Sequence, residues 1–286
     1  MPDLLSTQVM TDTPDVHVAQ HARVMATFDH HTQDSGNVSW VVETGGQRLF
    51  VKTAGADVHP PPGGPVPYFD HAGRVALLLN AVALARSVTH PALPRLLNVA
   101  GSPWGPVLVY EAALGELVYV RGDRRSDPTS AYQRFAHLPA DVLLRAFDEL
   151  IDVHVALAAQ NWVAADLYDG CLIVDLATGR LSVVDLDAYR HGPSTNDMGR
   201  MFGSTRFMAP EEFELGAPID QRTTVFTLGR LVWHFATGLT ERPEDFCGPP
   251  ALADVVQQAT RPSRDERPDS VSAFAGAWRS RREVDR

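Results

Sequence analysis

Strand signals and helix signals occupy different parts of this sequence, and this segregation constrains the fold more than any other feature. Two runs of β-branched and aromatic residues, Val38–Glu43 and Arg48–Lys52, flank the turn sequence Thr44-Gly45-Gly46-Gln47, which predicts a β-hairpin. Beyond residue 140 the apolar residues recur mainly at helical spacing. Strands gathered in one part of a chain and helices in another predict an α+β fold, here with a small β-rich half and a larger helical half.

Further elements are predicted in each half from the same kind of pattern. The apolar spacing over Asp70–Thr89 predicts an amphipathic helix, and Pro106–Glu111 predicts a strand. Two short apolar runs, Cys171–Asp175 and Leu181–Asp185, predict a pair of strands, and the Pro- and Gly-rich segment His59–Pro67 predicts a loop. The helices predicted in the larger half are Leu143–Ala159, Thr223–Thr237, Ala251–Ala259 and Val271–Trp278.

Composition excludes several classes of protein. The chain has 25 Lys and Arg against 35 Asp and Glu, a net charge of −10, which argues against a nucleic-acid partner because phosphate binding needs a basic face. Its two cysteines, Cys171 and Cys247, argue against a disulfide scaffold and favour the reducing cytoplasm. The longest apolar run, Val75–Val88, contains Asn80 and Arg86 and is shorter than the roughly 20 residues of a membrane span. The N-terminus lacks a signal peptide, so a cytoplasmic protein is expected.

Several motifs follow one another in the order and spacing found in the protein kinase family, over residues 24–280. Phe50–Lys52 resembles the strand that carries the family's lysine, Ala165–Leu167 the catalytic loop, and Val184–Asp187 the metal-binding Asp-Phe-Gly motif. Gly203–Glu211, with the sequence GSTRFMAPE, resembles the end of the activation segment. The other motifs that resemble the family are His90–Leu96, Leu108–Glu111, Leu228–Leu231 with Thr237-Gly238, and Arg267-Pro268, whose arginine is expected to pair with Glu211.

This resemblance implies a bilobal kinase-like fold, with an N-terminal extension at 1–23, an N-lobe at 24–112 and a C-lobe at 113–286. It implies a phosphotransferase that uses ATP and Mg²⁺ on a hydroxyl group of a protein or a small molecule. Asp166 would accept the hydroxyl proton, Lys52 would hold the α- and β-phosphates, Asp185 would bind Mg²⁺, and Ser204 would steady Asp166. The other expected nucleotide contacts are Gly36 and Val41 in the glycine-rich loop and the main chain of Glu111 and Ala113 at the adenine.

The sequence also departs from the family pattern in the loop and helix that surround the nucleotide. Gly36 is the one glycine of three that the glycine-rich loop keeps, and no acidic residue in 71–89 could pair with Lys52. Ala165 stands in place of the arginine that would bind a phosphorylated activation segment, and Tyr168 in place of the catalytic-loop lysine. Thr224 replaces the aspartate by which the central helix anchors the catalytic loop, so that contact is expected to be lost.

One replacement affects the expected metal site directly. Cys171 occupies the position of the second metal ligand, where the family has asparagine, and a neutral thiol is a poor ligand for Mg²⁺. Two nearby acids, Asp187 and Asp169, are hypothesised to take over this role. The candidate metal ligands are therefore Asp185, Asp187 and Cys171.

Three functions remain open at this stage. The first is an active, atypical Ser/Thr protein kinase, the second a pseudokinase that binds or scaffolds with weak or no turnover, and the third a kinase of small molecules. Lys52 could also be an ordinary solvated lysine, and Asp166 and Asp185 could be loop acids that cap turns. The sequence leaves the oligomeric state open.

Overall fold

The structure, a computed structural model, describes residues 3–58 and 65–283 and has a mixed α+β architecture. The chain divides into two compact units: the first is Met1–Thr89 with Pro94–Ala113, and the second is His90–Leu93 with Leu114–Arg286. The division expected from the sequence, between residues 112 and 113, lies one residue from the end of the first unit. Of the loop predicted at His59–Pro67, residues 59–64 lie outside the described residues, and residues 65–67 form neither helix nor strand.

A five-stranded antiparallel sheet forms the centre of the first unit, in the order β1-β2-β3-β5-β4. The predicted hairpin is confirmed: Thr44 pairs with Gln47 across a two-residue turn, and both turn residues, Gly45 and Gly46, have positive φ. Positive φ at both positions is what a tight hairpin turn requires, and glycine adopts it without steric cost. The strands are β1 (Arg23–Phe28), β2 (Val38–Thr44), β3 (Gln47–Thr53), β4 (Leu96–Ser102) and β5 (Gly105–Glu111).

Helix α2 (His71–Ser87) confirms the helix predicted between β3 and β4. It begins after Asp70, whose side chain accepts a hydrogen bond from the N–H of Gly73 and so caps the first turn. Its inner face packs with Ala54 and Leu108 of the sheet and its connections, which buries the apolar stripe that the sequence pattern predicts. The residues of α2 in this cluster are Leu78, Ala81 and Val82.

The N-terminal residues form a layer of the first unit. Helix α1 (Pro14–His21) contributes Val18 to the core of the sheet, and Leu4 and Met10 of the preceding segment are buried in the same cluster. The main chain of this segment also bonds to β4, because the N–H of Met10 donates to the carbonyl oxygen of Gly101. The stretch predicted as an extension at 1–23 is therefore, from residue 3 onward, a packed part of this unit.

Helices dominate the second unit, and all four helices predicted there are present. The central helix α5 is buried along most of its length, and its Gly229 allows α6 to approach closely, since a Cβ there would lie 2.9 Å from that of Ala259. Among the described residues no helix has both the length and the apolar character needed to cross a membrane. The helices are α3 (Ala131–Ala136), α4 (Ala140–Ala159), α5 (Gln221–Ala236), α6 (Pro250–Ala259) and α7 (Val271–Glu283).

Short strand pairs in the second unit hold the loops that carry the predicted acids. Two of these strands, β8 and β9, confirm the predicted strand pair, and a third strand, β6, adds to β8. Strand β7 pairs with β10, and β11 pairs with β12. The strands are β6 (Glu116–Leu117), β7 (Trp162–Val163), β8 (Leu172–Val174), β9 (Leu181–Val183), β10 (Arg190–His191), β11 (Ser194–Thr195) and β12 (Pro218–Ile219).

Candidate functional site

The loop that carries Asp166 leaves β7 and is held from the central helix α5. The main-chain N–H of Ala164 donates a hydrogen bond of 3.0 Å to Oγ1 of Thr224, and both residues are buried. A threonine hydroxyl oxygen can accept this bond as a carboxylate would, since the donor is a main-chain group. The expectation that Thr224 leaves the loop without this contact is therefore wrong.

Cys171 connects the segment of Asp166 to the segment of Asp185. Its Sγ donates to the main-chain oxygen of Asp166 at 3.2 Å, and its own carbonyl accepts from the N–H of Val184 at 2.8 Å. Burial raises the pKa of the Cys171 thiol, and the neighbouring carboxylates of Asp166 and Asp185 raise it further. The thiol therefore stays protonated and acts as a hydrogen-bond donor, which suits a positional role better than Mg²⁺ ligation.

Both predicted acids have a backbone conformation that is uncommon outside glycine. Asp166 and Asp185 each have a φ of 61°. Aspartate tolerates this left-handed region better than most residues, yet it costs free energy, and such residues cluster at functional sites. Asp185 is exposed, whereas Asp187 is buried.

Tyr168 lies among the acids of this loop. Burial raises the pKa of its hydroxyl, and the negative charges of Asp166, Asp185 and Asp169 add to the effect. Its ring lies against Gly170, at a position where any side chain on residue 170 would collide with it. The residue that replaces the expected lysine is thus neutral, and the carboxylate oxygens near it form the kind of donor set that Mg²⁺ takes.

The end of the 203–211 segment is fixed by a buried ion pair. Both oxygens of Glu211 accept from Arg267, at 2.7 and 3.0 Å, which confirms the predicted pair. Arg264 adds a third bond of 2.9 Å to the same carboxylate and was not predicted, because an arginine in a short polar turn gives no pattern in the sequence. Desolvation by burial opposes the charge of Glu211, but the bonds and charge of Arg267, together with the bond from Thr223 and a main-chain bond, outweigh it and hold the pKa of Glu211 below the usual value.

Ser204 makes its contacts in this segment through the main chain. Its carbonyl oxygen accepts from the N–H groups of Phe207 and Met208, at 2.9 and 3.2 Å. The neighbouring Gly203 is the residue that approaches Asp166, since a Cβ there would lie 3.6 Å from Oδ1 of Asp166. The role of Ser204 in steadying Asp166 stays a prediction.

Glu212 is a buried acid of the same segment that the sequence reading missed. Its Oε2 accepts a hydrogen bond of 2.7 Å from the N–H of Ala209. Burial raises the pKa of Glu212 to about 8, and the nearby charges of Glu211 and Asp166 act in the same direction. Glu212 directly follows the Ala-Pro-Glu sequence, and nothing in the local sequence distinguishes it from an exposed acid.

The folded protein should lose stability as the pH rises from about 4.5 to about 8, because Glu212 keeps its proton in the folded state only. The slope from this residue should be about 1.4 kcal/mol per pH unit within that window. We expect Glu212→Gln to remove the slope, while Glu214→Gln, at an exposed position two residues on, should keep it. Free energies of unfolding from urea titrations at several pH values test this, and an unchanged slope in Glu212→Gln would contradict it.

Lys52 lies on β3 in the first unit and is buried, with 8 % of its surface exposed. Its neighbours on the adjacent strands are Ser39 of β2 and Leu108 of β5. A buried lysine in a central strand needs a partner for its charge, so the alternative of an ordinary solvated lysine is wrong.

The loop of Gly36, which the resemblance equates with the glycine-rich loop, is packed against the chain that follows β3. Gly36 has a φ of 78°, and a Cβ there would lie 2.6 Å from Cγ of Pro67 and 3.2 Å from Cζ of Arg74. Gly55 also has positive φ, and a Cβ on it would collide with the carbonyl oxygen of Gly36. This loop therefore has a close fit to its own chain, which only glycine permits at both positions.

The remaining predicted nucleotide residues lie on the strands of the same sheet or next to it. Val41 is a half-buried residue of β2. Glu111 ends β5, where its N–H donates to the carbonyl of Arg95 and its carboxylate pairs with the Arg95 side chain at 3.0 Å. Ala113 follows as a half-buried residue at the end of the first unit.

Arg74 is a buried charged residue of α2, the helix in which the kinase resemblance would place an acidic partner for Lys52. Its Nε donates to the carbonyl of Ala54 at 2.7 Å, and its terminal nitrogens donate to Phe69 and Ala56 at 3.0 and 3.2 Å. Burial lowers the pKa of its guanidinium. The spacing of Arg74 and Leu78, one helical turn apart on the inner face, is the signal that could have revealed it.

Asp29, His30 and His31 bring three ligand atoms within 4.8 Å of one another in the loop between β1 and β2. Both histidines are exposed, and Oδ1 of Asp29 already accepts from the N–H of His31. Imidazole nitrogens suit transition metals, whereas Mg²⁺ takes oxygen ligands, so this group is separate from the predicted Mg²⁺ site.

No protein-family model matches this chain, and no curated protein matches it either.

Proposed function

We propose that this protein is an ATP-dependent phosphotransferase of the protein-kinase type, which transfers a phosphoryl group to the hydroxyl of a Ser or Thr side chain. The observation that supports this most is the arrangement of Asp166 and Asp185. Both acids have left-handed backbone conformations, and Cys171 links their segments through two hydrogen bonds. Holding two acids in strained backbone conformations on linked segments costs stability, and residues with such strain cluster at functional sites.

The residues present fit Mg²⁺ through their carboxylates. Asp185 and Asp187 provide oxygen donors, whereas the carboxylate of Asp169 is fully buried and paired with Arg206. Cys171 does not fit, because its thiol is protonated and donates to a main-chain oxygen. The metal would therefore be held by Asp185 and Asp187.

For the nucleotide, the fit rests on Lys52, whose buried ammonium would hold the α- and β-phosphates. When bound, Mg²⁺–ATP supplies the transferable phosphoryl group and offsets the charge of the phosphates. Asp166 would orient the acceptor hydroxyl and take up its proton. Thr224 and Cys171 fix the main chain at Ala164 and Asp166, which limits the positions that the Asp166 carboxylate can take.

A second candidate is a pseudokinase, a binding module with little or no turnover. Two observations favour it: Gly36 is packed against the chain's own residues, and α2 contains no acidic residue but a buried arginine, Arg74. Arg74 donates three hydrogen bonds to main-chain carbonyls between β3 and α2, so its side chain holds this connection in place.

The experiment that separates these functions is a thermal shift combined with a phosphate-transfer assay. ATP with Mg²⁺ at about 100 times its Kd should stabilise the wild type by about 2.7 kcal/mol, which is roughly 5–10 °C for a protein of this size. ATP with a chelator, or Asp185→Asn with Mg²⁺, should give a smaller shift. The matched control is Asp197→Asn, an exposed acid of the second unit that pairs only with the partly exposed Arg190 within the described residues.

Transfer is measured with ATP labelled in the γ-phosphoryl group. Label on the protein itself or on an added protein supports the kinase. A metal-dependent shift without label supports the pseudokinase, and label on a small hydroxyl compound alone supports a small-molecule kinase. If the protein shows no thermal shift with ATP and Mg²⁺ and no label is transferred, the proposal is overturned.

A further inference from the structure

The side chain of Arg206 is held on several sides within the second unit. Its NH2 group forms an ion pair of 2.8 Å with Oδ2 of Asp169, and its NH1 group donates to the hydroxyl of Tyr132 at 3.1 Å. The guanidinium plane also lies over the rings of Phe207 and Tyr132, at 4.8 and 5.6 Å from their centroids. A planar group with ionic, hydrogen-bonded and aromatic contacts has few alternative positions.

These contacts continue into a closed circuit of hydrogen bonds. The Tyr132 hydroxyl lies 2.6 Å from Nε2 of His234, and Nδ1 of His234 lies 2.5 Å from Oε1 of Glu241. Because a carboxylate only accepts, Nδ1 donates to Glu241, and Nε2 can then accept from the tyrosine hydroxyl. Glu241 accepts two bonds from Arg230, whose Nε donates to the carbonyl oxygen of Arg206 at 3.1 Å. The circuit thus begins at the side chain of Arg206 and ends at its main chain.

Arg206 compensates the negative charge of Asp169. The Asp169 side chain is fully buried, and its second oxygen, Oδ1, has no hydrogen-bond partner among the described residues. A buried carboxylate without a paired cation is strongly destabilising. Since Asp169 lies three residues after Asp166, the ion pair joins the loop of Asp166 directly to the 203–211 segment.

The geometry points to Arg206 as a positioning residue: its ion pair with Asp169 holds the 203–211 segment against the loop of Asp166 in the unmodified chain. The segment therefore reaches its working conformation without a phosphate on Ser204 or Thr205. The missing arginine at position 165, which would bind such a phosphate, fits this arrangement. The inference rests on the proposed function for its effect on turnover, whereas its effect on the segment can be measured by itself.

The test compares hydrogen exchange in protein shown by mass to carry no phosphate. The amides of Phe207 and Met208, which both donate to the carbonyl of Ser204, report on the segment. In the wild type they should exchange slowly, and Arg206→Gln should speed their exchange by about tenfold or more. The matched control is Arg190→Gln, an arginine of the same unit whose ion pair with the exposed Asp197 lies outside the 203–211 segment; it should leave both amides unchanged.

Arg206→Lys keeps the charge but loses the planar fork, so it should fall between the wild type and Arg206→Gln. This variant gives the answer if Arg206→Gln does not fold. In the transfer assay, Arg206→Gln should lower kcat by about tenfold or more with the KM for ATP changed less than about twofold, and Arg206→Lys should recover part of the loss.

Wild-type exchange rates in Arg206→Gln, or in Arg206→Lys where the former is unfolded, would overturn the inference. So would fast exchange of both amides in the unphosphorylated wild type. If no protein shows transfer but the exchange pattern is as expected, the proposed function fails and the positioning role of Arg206 stands.

Discussion

Asp166→Asn should lower phosphoryl transfer by about 10²–10⁴-fold while the protein stays folded. Asparagine has nearly the same shape as aspartate but cannot take up the proton of the acceptor hydroxyl. It also tolerates the left-handed conformation of residue 166, whose φ is 61°. The bond from Cys171 goes to the main-chain oxygen of residue 166, which the substitution keeps.

The measurement is the initial rate of transfer at saturating Mg²⁺–ATP, together with the melting temperature of each variant. Asp197→Asn, an exposed change of the same chemical type, is the control and should transfer at close to the wild-type rate. A rate for Asp166→Asn within about threefold of the wild type would contradict the role of Asp166 as the base. If the transfer rate falls and the melting temperature also falls by many degrees, the loss of activity is due to impaired folding instead.

Glu211→Gln should lower the free energy of unfolding by about 3–5 kcal/mol. The side chain of Arg267 is fully buried, and the substitution would leave its charge with a neutral partner. Arg267 also donates to the carbonyls of Arg261 and Pro262, which hold it in place and prevent it from turning out to solvent. Arg264 and Thr223 lose part of their contact with the carboxylate at the same time.

Calorimetry is the suitable measurement because it resolves separate transitions in a chain of two units. A loss of this size corresponds to a shift of roughly 6–20 °C in the melting temperature for a protein of this length. Glu214→Gln changes an exposed acid three residues later and should shift the transition by less than about 2 °C. Equal effects of the two substitutions would show that the buried pair contributes little.

Elements with strong local signals were predictable from the sequence. The hairpin of β2 and β3 depends on a two-glycine turn between β-branched runs, and α2 depends on apolar spacing within one segment. Strand β4 was not predicted, because its sequence contains Asn98 and Gly101 and lacks the alternation of a typical strand. Its conformation comes from pairing with β5, which follows directly across a two-residue turn.

The ion pair of Glu211 with Arg267 was predictable from motif order, whereas the roles assigned to Asp166 and Asp185 stay predictions. The contacts of Thr224 and Cys171 with main-chain atoms were not predictable, because motif comparison assigns roles to side chains only. The circuit around Arg206 joins segments up to about a hundred residues apart, and such long-range contacts leave no local pattern.

The packing of the N-terminal layer has a consequence for the nascent chain. The Asn98 side chain donates to the carbonyls of Leu4 and Thr7, which lie 94 and 91 residues earlier in the chain. At a synthesis rate of about 5–20 residues per second, these early residues wait roughly 5–20 s for their partners. During this time Leu4, Met10 and Val18, which end in the core, lack the strands β4 and β5 that complete the sheet over them. The first unit can therefore close only after its last strand has left the ribosome, and until then its earliest residues are targets for chaperones.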